Sequence, residues 1–364
     1  MVRLGIAGFG IMGKGHAKNI FDGKVPGCEL AAVCDTNPSQ MEEIKTTHPS
    51  VKTFTDASAM LKSGAIDAVL ISTPHYDHPI IAMEAFENKI HVMSEKPAGV
   101  FKKNVREMNI KAAKSGVEFG IMYNTRTHPR YRKMREIVES GALGPIKRNS
   151  MIATNWYRPQ AYYDMGGWRA TWKGEGGGVL INQCPHSLDI WQWICGMPKR
   201  VTAFTHNGKW HNIEVEDDVT AYVEYENGAT GIFVTSTADC PGTDRFEVVG
   251  DLGKLVCEND QLVHYKLEMG EREFNKVNKV AFGQPKMERA VIDCPGEYTQ
   301  HSGVLTAFVN KIATGKGELI ANGEEGINGL TVSNAIHLSS WLGKTVELPL
   351  DEDLFKAELE KRFK

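Results

Sequence analysis

The chain has 364 residues, enough for two cores rather than one. Charged residues make up 24% of it and the formal net charge is -3, a balance that argues against nucleic-acid binding through a basic patch. No apolar run of about 18 residues occurs, and the first residues lead into a strand without a signal-peptide pattern, so a cytoplasmic protein with no membrane partner is expected.

The first thirty-five residues organise the rest. Val2, Leu4, Ile6 and Ala7 read as a buried strand, Gly8-Phe9-Gly10-Ile11-Met12-Gly13 follows, Lys14 to Phe21 is helix-like, and Glu29 to Cys34 is a second strand ending at Asp35. Strand, glycine turn, helix, strand and acidic residue in that order form a dinucleotide site. One glycine serves the tight turn, one the approach of a pyrophosphate, one the packing of helix on strand, and the helix N-terminus faces the anion. Asp35 stands where a carboxylate accepts from both hydroxyls of an adenosine ribose. It would repel a 2'-phosphate, and Thr36 and Asn37 supply no cation, so the cofactor expected is NAD(H) rather than NADP(H).

Short apolar runs then alternate with helical segments. Helices are expected near 38–47, 57–62, 80–88 and 102–115, and strands at 51–54, 68–72, 91–94 and 118–123. Together with the first two strands they make about six, a doubly wound α/β domain over residues 1–123. The fourth strand ends in Thr73-Pro74-His75-Tyr76-Asp77-His78-Pro79, a loop at the carboxyl end of a parallel sheet, where ligands sit. Thr73, Pro74, His75 and His78 are therefore expected to border the cofactor. Glu95 and Lys96 after the next strand, and Asn124 just past the last one, are counted with them.

From residue 124 the texture changes. A helix is expected from Pro129 to Ser140, stopping at Gly141. The runs at 146–154, 200–205, 219–225, 230–237, 245–249 and 254–258 are of β type. Asn227-Gly228 between two of them is a strong hairpin signal. Helices are expected at 301–314 and 329–341. Residues 124–364 thus read as an α+β domain with a large, mostly antiparallel sheet. Seven scattered cysteines without a CxxC pair point to free thiols and to no metal site.

Three features carry chemistry. Lys96, in Glu95-Lys96-Pro97 after a parallel strand, is aimed at the carboxyl end of the sheet, where partial desolvation equips a lysine to exchange a proton with a hydroxyl. In Gly176-Gly177-Gly178-Val179-Leu180-Ile181-Asn182-Gln183-Cys184-Pro185-His186, a helix after the glycines would put Asn182 and His186 on one face, with Pro185 kinking or delaying it. Histidine suits proton transfer near neutrality. Finally Trp156, Tyr157, Tyr162, Tyr163, Trp168 and Trp172 crowd seventeen residues, with Arg158 and Arg169 interleaved. Rings beside donors suit a carbohydrate; aromatic packing would look similar. Trp191 and Trp193 read as helix core.

On these residues the chain resembles the Gfo/Idh/MocA oxidoreductases, the glucose-fructose oxidoreductase and inositol dehydrogenase family. The likeness runs through Gly8 to Gly13, Asp35, Thr73-Pro74 with His78, Glu95-Lys96-Pro97, Gly141-Ala142-Leu143-Gly144, and Gly176-Gly177-Gly178 leading to His186. It implies an N-terminal Rossmann domain, a C-terminal domain whose open sheet commonly forms oligomer contacts in a dimer, tetramer or hexamer, tightly held NAD(P), and a reacting hydroxyl flanked by Lys96 and His186. Asn182 departs from the aspartate common at that place. An asparagine orients but cannot neutralise charge, which moves proton transfer toward Lys96 and His186.

The string around Asn182 and the following Trp-Gln-Trp-Ile-Cys-Gly resemble a subgroup that acts on sugars and glycosides. What this implies is NAD-dependent oxidation of a pyranose ring hydroxyl, most simply C3 of a glucose unit. Tyr157, Trp168, Arg169, Asn182, His186 and His301 are the expected substrate contacts, and Lys96, His186 and Asn182 the expected catalytic set. Inositol dehydrogenation is the nearest alternative. An NAD-dependent glycosidase or lyase using transient C3 oxidation is another.

Overall fold

The computed structural model describes residues 1–364. In chain order the first elements are β1 (Val2–Ala7), α1 (Ile11–Phe21), β2 (Cys28–Cys34), α2 (Glu42–Thr47), β3 (Lys52–Phe54), α3 (Ala57–Lys62), β4 (Ala68–Ile71), α4 (Asp77–Glu87), β5 (His91–Ser94), α5 (Lys102–Ser115) and β6 (Phe119–Ile121). They are followed by α6 (Pro129–Glu139), β7 (Ile146–Ala153), α7 (Gln160–Tyr163), α8 (Pro185–Cys195), β8 (Arg200–Asn207), β9 (Glu216–Glu224), β10 (Thr230–Ser236), β11 (Asp244–Gly250), β12 (Gly253–Glu258) and β13 (Gln261–Leu267). The last are α9 (Glu271–Val277), β14 (Met287–Ile292), α10 (Gln300–Thr314), α11 (Gly326–Leu342), β15 (Val346–Glu347) and α12 (Glu352–Glu360). No helix is long and apolar enough to cross a membrane.

The chain forms two compact units. The first comprises Met1–Thr127, Lys173–Gly176 and Tyr298–Leu330. Its six strands lie in the order β3-β2-β1-β4-β5-β6, every pair parallel. A parallel sheet covered on both faces needs near-continuous apolar strands, and all four residues of β4 are buried accordingly. The strand order reverses between β1 and β4, the place where a doubly wound sheet opens for a ligand.

Helix α10 joins this unit from far along the chain. Its Val304, Leu305, Phe308 and Val309 recur at helical spacing and complete the core formed by Val2, Leu4 and Ile6 of β1 with Val33, Leu70 and Met93. A boundary drawn in chain order at residue 123 leaves this helix on the wrong side, because the apolar stripe that recruits it has no marker of its destination.

The second unit comprises His128–Trp172, Gly177–Glu297 and Thr331–Lys364. Its nine-stranded sheet runs β14-β13-β12-β11-β7-β10-β9-β8-β15. Only β7 and β10 pair in parallel; the other neighbours are antiparallel. Asn227-Gly228 makes the hairpin between β9 and β10, with Gly228 at φ +81° and the Asn227 side chain accepting from the Ala229 amide at 3.0 Å. Helix α8 covers one face: Trp191 is buried against Phe233 and donates to Asn149 Oδ1 at 2.6 Å. The other face leaves Phe204, Tyr222 and Ile232 exposed.

One expectation changes in this unit. Residues 179–184 form successive turns rather than helix, and α8 begins at Pro185. Proline at the first helical position sacrifices an amide that has no helical partner anyway, so it starts the helix instead of kinking it. Asn182 therefore lies in the approach to α8 and His186 in its first turn, not four apart along one helix.

Candidate functional site

The first unit gathers the residues expected to hold the cofactor around the β1–α1 turn. Gly8 has φ +87°, and a Cβ there would lie 2.6 Å from the Ser72 backbone. A Cβ on Gly13 would lie 2.2 Å from Gly8 O, so the helix could not pack on the strand. Gly10 is different: nothing stands within 4 Å of its Cβ position. No internal contact requires a glycine at that point, whereas a phosphate drawn up to the backbone does. Gly10 is also the N-cap of α1 and supplies no side-chain cap, so the positive end of the helix remains available to an anion. Phe9 is buried, while Ile11 and Met12 are exposed.

Asp35 closes the turn from the end of β2. Its Oδ2 accepts the Phe9 amide at 2.8 Å and its Oδ1 accepts the Asn37 amide at 2.9 Å. Each carboxylate oxygen keeps a lone pair, and two ribose hydroxyls need two acceptors.

Past β4, Thr73 Oγ1 is buried without a hydrogen-bond partner, and so is Oδ1 of Asn124. Asn124 also donates through Nδ2 to Tyr298 Oη at 3.4 Å. Buried polar atoms are rarely left orphaned unless a ligand satisfies them. Together with the open Gly10 position they fit a dinucleotide.

The two loop histidines hold backbone. Nδ1 of His75 lies 3.0 Å from Glu175 O. The ring nitrogens of His78 lie 2.8 Å from Pro97 O and 2.8 Å from Thr73 O. Burial pushes the His78 pKa down, against the pull of those carbonyls, so the ring is neutral and one nitrogen donates. His78 thus ties the Thr73-Pro74 loop to the turn that carries Lys96. Lys96 is half-buried after β5 and its peptide bond to Pro97 is cis.

Glu95 turns inward. It is buried, and its Oε1 accepts from His16 Nε2 at 2.8 Å. His301 stands beside the same pair, its ring edge-on to His16 at 5.5 Å between centroids. His301 therefore stands in the first unit, beside Glu95 and His16.

In the second unit the aromatic cluster divides. Tyr163 and Trp172 are buried and serve as core; Trp156 and Tyr157 are exposed; Trp168 is half-buried. Tyr162 is the hub. Its Oη accepts from Arg169 at 2.8 Å, from Asn182 Nδ2 at 3.3 Å and from Gln183 Nε2 at 3.4 Å. The guanidinium carbons of Arg158 and Arg169 each lie 5.1 Å from the centroid of its ring. Asn182 and His186 are both half-buried.

The turns that carry Asn182 are pinned from β9. Glu216, fully buried, accepts the amides of Gly178 at 2.9 Å and Leu180 at 3.1 Å, and His337 Nε2 lies 3.1 Å from its Oε2. A Cβ on Gly178 would lie 2.0 Å from Glu216 O, so this glycine permits the approach.

Three contributors escape a reading of the sequence. His16 falls on the stripe of buried residues Gly13, His16, Ala17 and Ile20 of α1; a titratable residue at apolar spacing was the available signal. Tyr162 looks like any member of its cluster. Glu216 sits in an acidic run whose inward members only the strand register reveals.

Comparison with known proteins agrees with this geometry. Residues 2–123 match the oxidoreductase family model with an NAD-binding Rossmann fold, and residues 131–256 match the GFO/IDH/MocA C-terminal domain. The chain is 27% identical over 341 residues to a D-glucoside 3-dehydrogenase of Escherichia coli (strain K12), covering 88% of this chain and 90% of that protein. It is 28% identical over 262 residues to a scyllo-inositol 2-dehydrogenase (NAD(+)) of Bacillus subtilis (strain 168), covering 70% and 73%. Among solved structures, the WlbA dehydrogenase from Bordetella pertussis in complex with NADH and UDP-GlcNAcA superposes with a TM-score of 0.78 at 26% identity, over 96% of this chain and 99% of that one. The chain belongs to the GFO/IDH/MocA oxidoreductase family, and its N-terminal domain is an NAD-binding Rossmann domain.

Proposed function

We propose that the protein oxidises a ring hydroxyl, most simply C3, of a glucose-type sugar or glycoside. The observation that carries this reading is the hub at Tyr162, where a phenol, a guanidinium and the Asn182 amide meet beside partly exposed rings. Hydroxyl-bearing rings need both directional donors and a flat apolar surface. The D-glucoside 3-dehydrogenase relative supports the same substrate class.

Gly8 to Gly13, Asp35, Thr73 and Asn124 would hold the cofactor. Bound NAD supplies the acceptor for the hydride that leaves the carbinol carbon. The protein's own part is proton transfer: His186 or Lys96 takes the hydroxyl proton as the carbonyl forms, and the other, with Asn182, holds a neighbouring hydroxyl. Asn182 is uncharged, so it orients without offsetting a charge. The exposed Phe204, Tyr222 and Ile232 on one face of the second sheet support self-association, which light scattering would test.

The test is incubation with NAD and a panel of glucosides, sugar acids and inositols, following NADH absorbance and products by mass spectrometry. A keto-glycoside formed with equimolar NADH is the expected outcome. Release of an aglycone without net NADH would instead make the protein a glycosidase or lyase. Turnover confined to inositols would favour the carbocycle, the reading that the scyllo-inositol 2-dehydrogenase relative supports.

A further inference from the structure

Glu95 links the helix of the glycine turn to the lysine beside it. Its Oε1 takes the Nε2–H of His16 at 2.8 Å, and its Oε2 takes the backbone N–H of Lys96 at 3.1 Å. His16 is only 2% exposed and projects from α1, the helix that starts at the glycine turn. One chain of contacts therefore runs from the glycine turn through α1 and His16 to Glu95 and the backbone of Lys96.

The charges around Glu95 come from four elements: His16 from α1, Lys96 from the end of β5, His78 from α4 and His301 from α10. Burial alone would push the Glu95 carboxyl up; the hydrogen bond and charge of His16, then Lys96 and His301, hold it down at about 2, so it is an anion. His78 is neutral, and burial also pushes His301 down. His16 is thus the group that both bonds the carboxylate and lies opposite Lys96 across it. An unmatched anion next to Lys96 would keep the ammonium protonated, and a partner that shares the carboxylate's charge weakens that hold.

We propose that His16 is a positioning residue for the reaction: through Glu95 it fixes the backbone of Lys96 and offsets the carboxylate's charge, so that Lys96 can release its proton near neutral pH. This rests on the reading of Lys96 as a proton-transfer group.

The test is His16→Gln, which keeps an N–H donor but cannot carry charge, with Glu95→Gln and the double variant. Two readouts follow Lys96. One is the pH dependence of its acylation, measured by peptide mass spectrometry with no substrate present. The other is the pH profile of kcat on the best sugar of the panel. His16→Gln is expected to move both profiles up by about one pH unit, equivalent to about a tenfold loss at neutral pH, while NADH binding measured by fluorescence stays within about threefold. The double variant should return both profiles toward wild type, because the unmatched carboxylate is gone. Rescue of that kind is not expected of a merely structural histidine.

Unchanged profiles in His16→Gln, or a loss equal at every pH that Glu95→Gln does not relieve, would overturn the proposal. If His16→Gln does not fold, Glu95→Gln alone decides: its Lys96 acylation profile should move to lower pH, and no movement overturns the inference. Full turnover in Lys96→Met would overturn the role of Lys96 and this proposal together. Loss of turnover in Lys96→Met with unmoved His16→Gln profiles would overturn this proposal alone.

Discussion

Glu216 holds Gly178 by its amide, with both carboxylate oxygens 2.9 Å from the Gly178 nitrogen. The bond joins the start of β9 to the turns that deliver Asn182 and His186. Replacing Glu216 by Ala strands the amides of Gly178 and Leu180 in a fully buried place and removes the carboxylate that faces His337. A loss of about 3 kcal/mol of stability is expected, measurable by urea unfolding. Glu216→Gln should recover part of it, since an amide oxygen can still accept from Gly178.

The orphaned polar atoms of the first unit make an opposite prediction. Thr73→Val removes an unpartnered buried hydroxyl, so the protein without cofactor should be unchanged or more stable by up to about 1 kcal/mol. NADH should nevertheless bind about fivefold or more weakly, since a hydrogen bond of about 1 kcal/mol is lost. Thermal melting with and without NADH reads both effects. Unaltered affinity would remove Thr73 from the cofactor contacts.

Asp35 is expected to select the cofactor. Asp35→Ala should weaken NADH binding about tenfold or more, the worth of hydrogen bonds to a charged acceptor. Adding Thr36→Arg should give measurable NADPH binding, because the repulsion of a 2'-phosphate is replaced by a bidentate donor. Isothermal titration with the two cofactors decides it.

Acid should act through Glu95. Folding lowers its pKa from 4.5 to about 2, so its contribution to stability is complete above the upper value and drains away as pH falls toward the lower one. Glu95→Gln should be less stable than wild type at neutral pH and should lack this part of the acid dependence. Urea midpoints taken between about pH 5 and about pH 3 should converge for the two proteins.

For the chemistry itself, Lys96→Ala and His186→Ala should each lower kcat by about two to four orders of magnitude, with NADH affinity retained. Near-normal turnover in both would end the assignment of proton transfer to these two residues.

Much of the first sheet was legible because its signals are local. The strand at 91–94 and the helices at 57–62 and 102–115 fall on their expected residues, each an apolar run or stripe bounded by polar residues. The Gly8 to Gly13 turn and Asp35 come together through the Phe9 amide, because each directly follows one of two neighbouring strands. What stayed hidden depends on distant partners. Strands β13 and β14 alternate weakly, their outward positions being polar or exposed, and so carry no strand signal of their own. The role of Glu95 could not be seen without α1 and α10 in place. Tyr162 acquires its meaning from Arg169, Asn182 and Gln183, seven to twenty-one residues away, and no spacing rule encodes that convergence.

The recruitment of α10 to the first sheet bears on how the chain is made. Val304, Leu305, Phe308 and Val309 seal the core that Val2, Leu4 and Ile6 begin. During synthesis the Rossmann sheet can pair its six strands early, but one side of its core stays open to water until α10 has been made. An isolated fragment ending near Tyr123 would carry that open side permanently and would aggregate. The dinucleotide domain is thus completed only after eight of the nine strands of the second sheet, β7 to β14, have been synthesised, which makes α10, and not the first helices, the step that commits it to the native state.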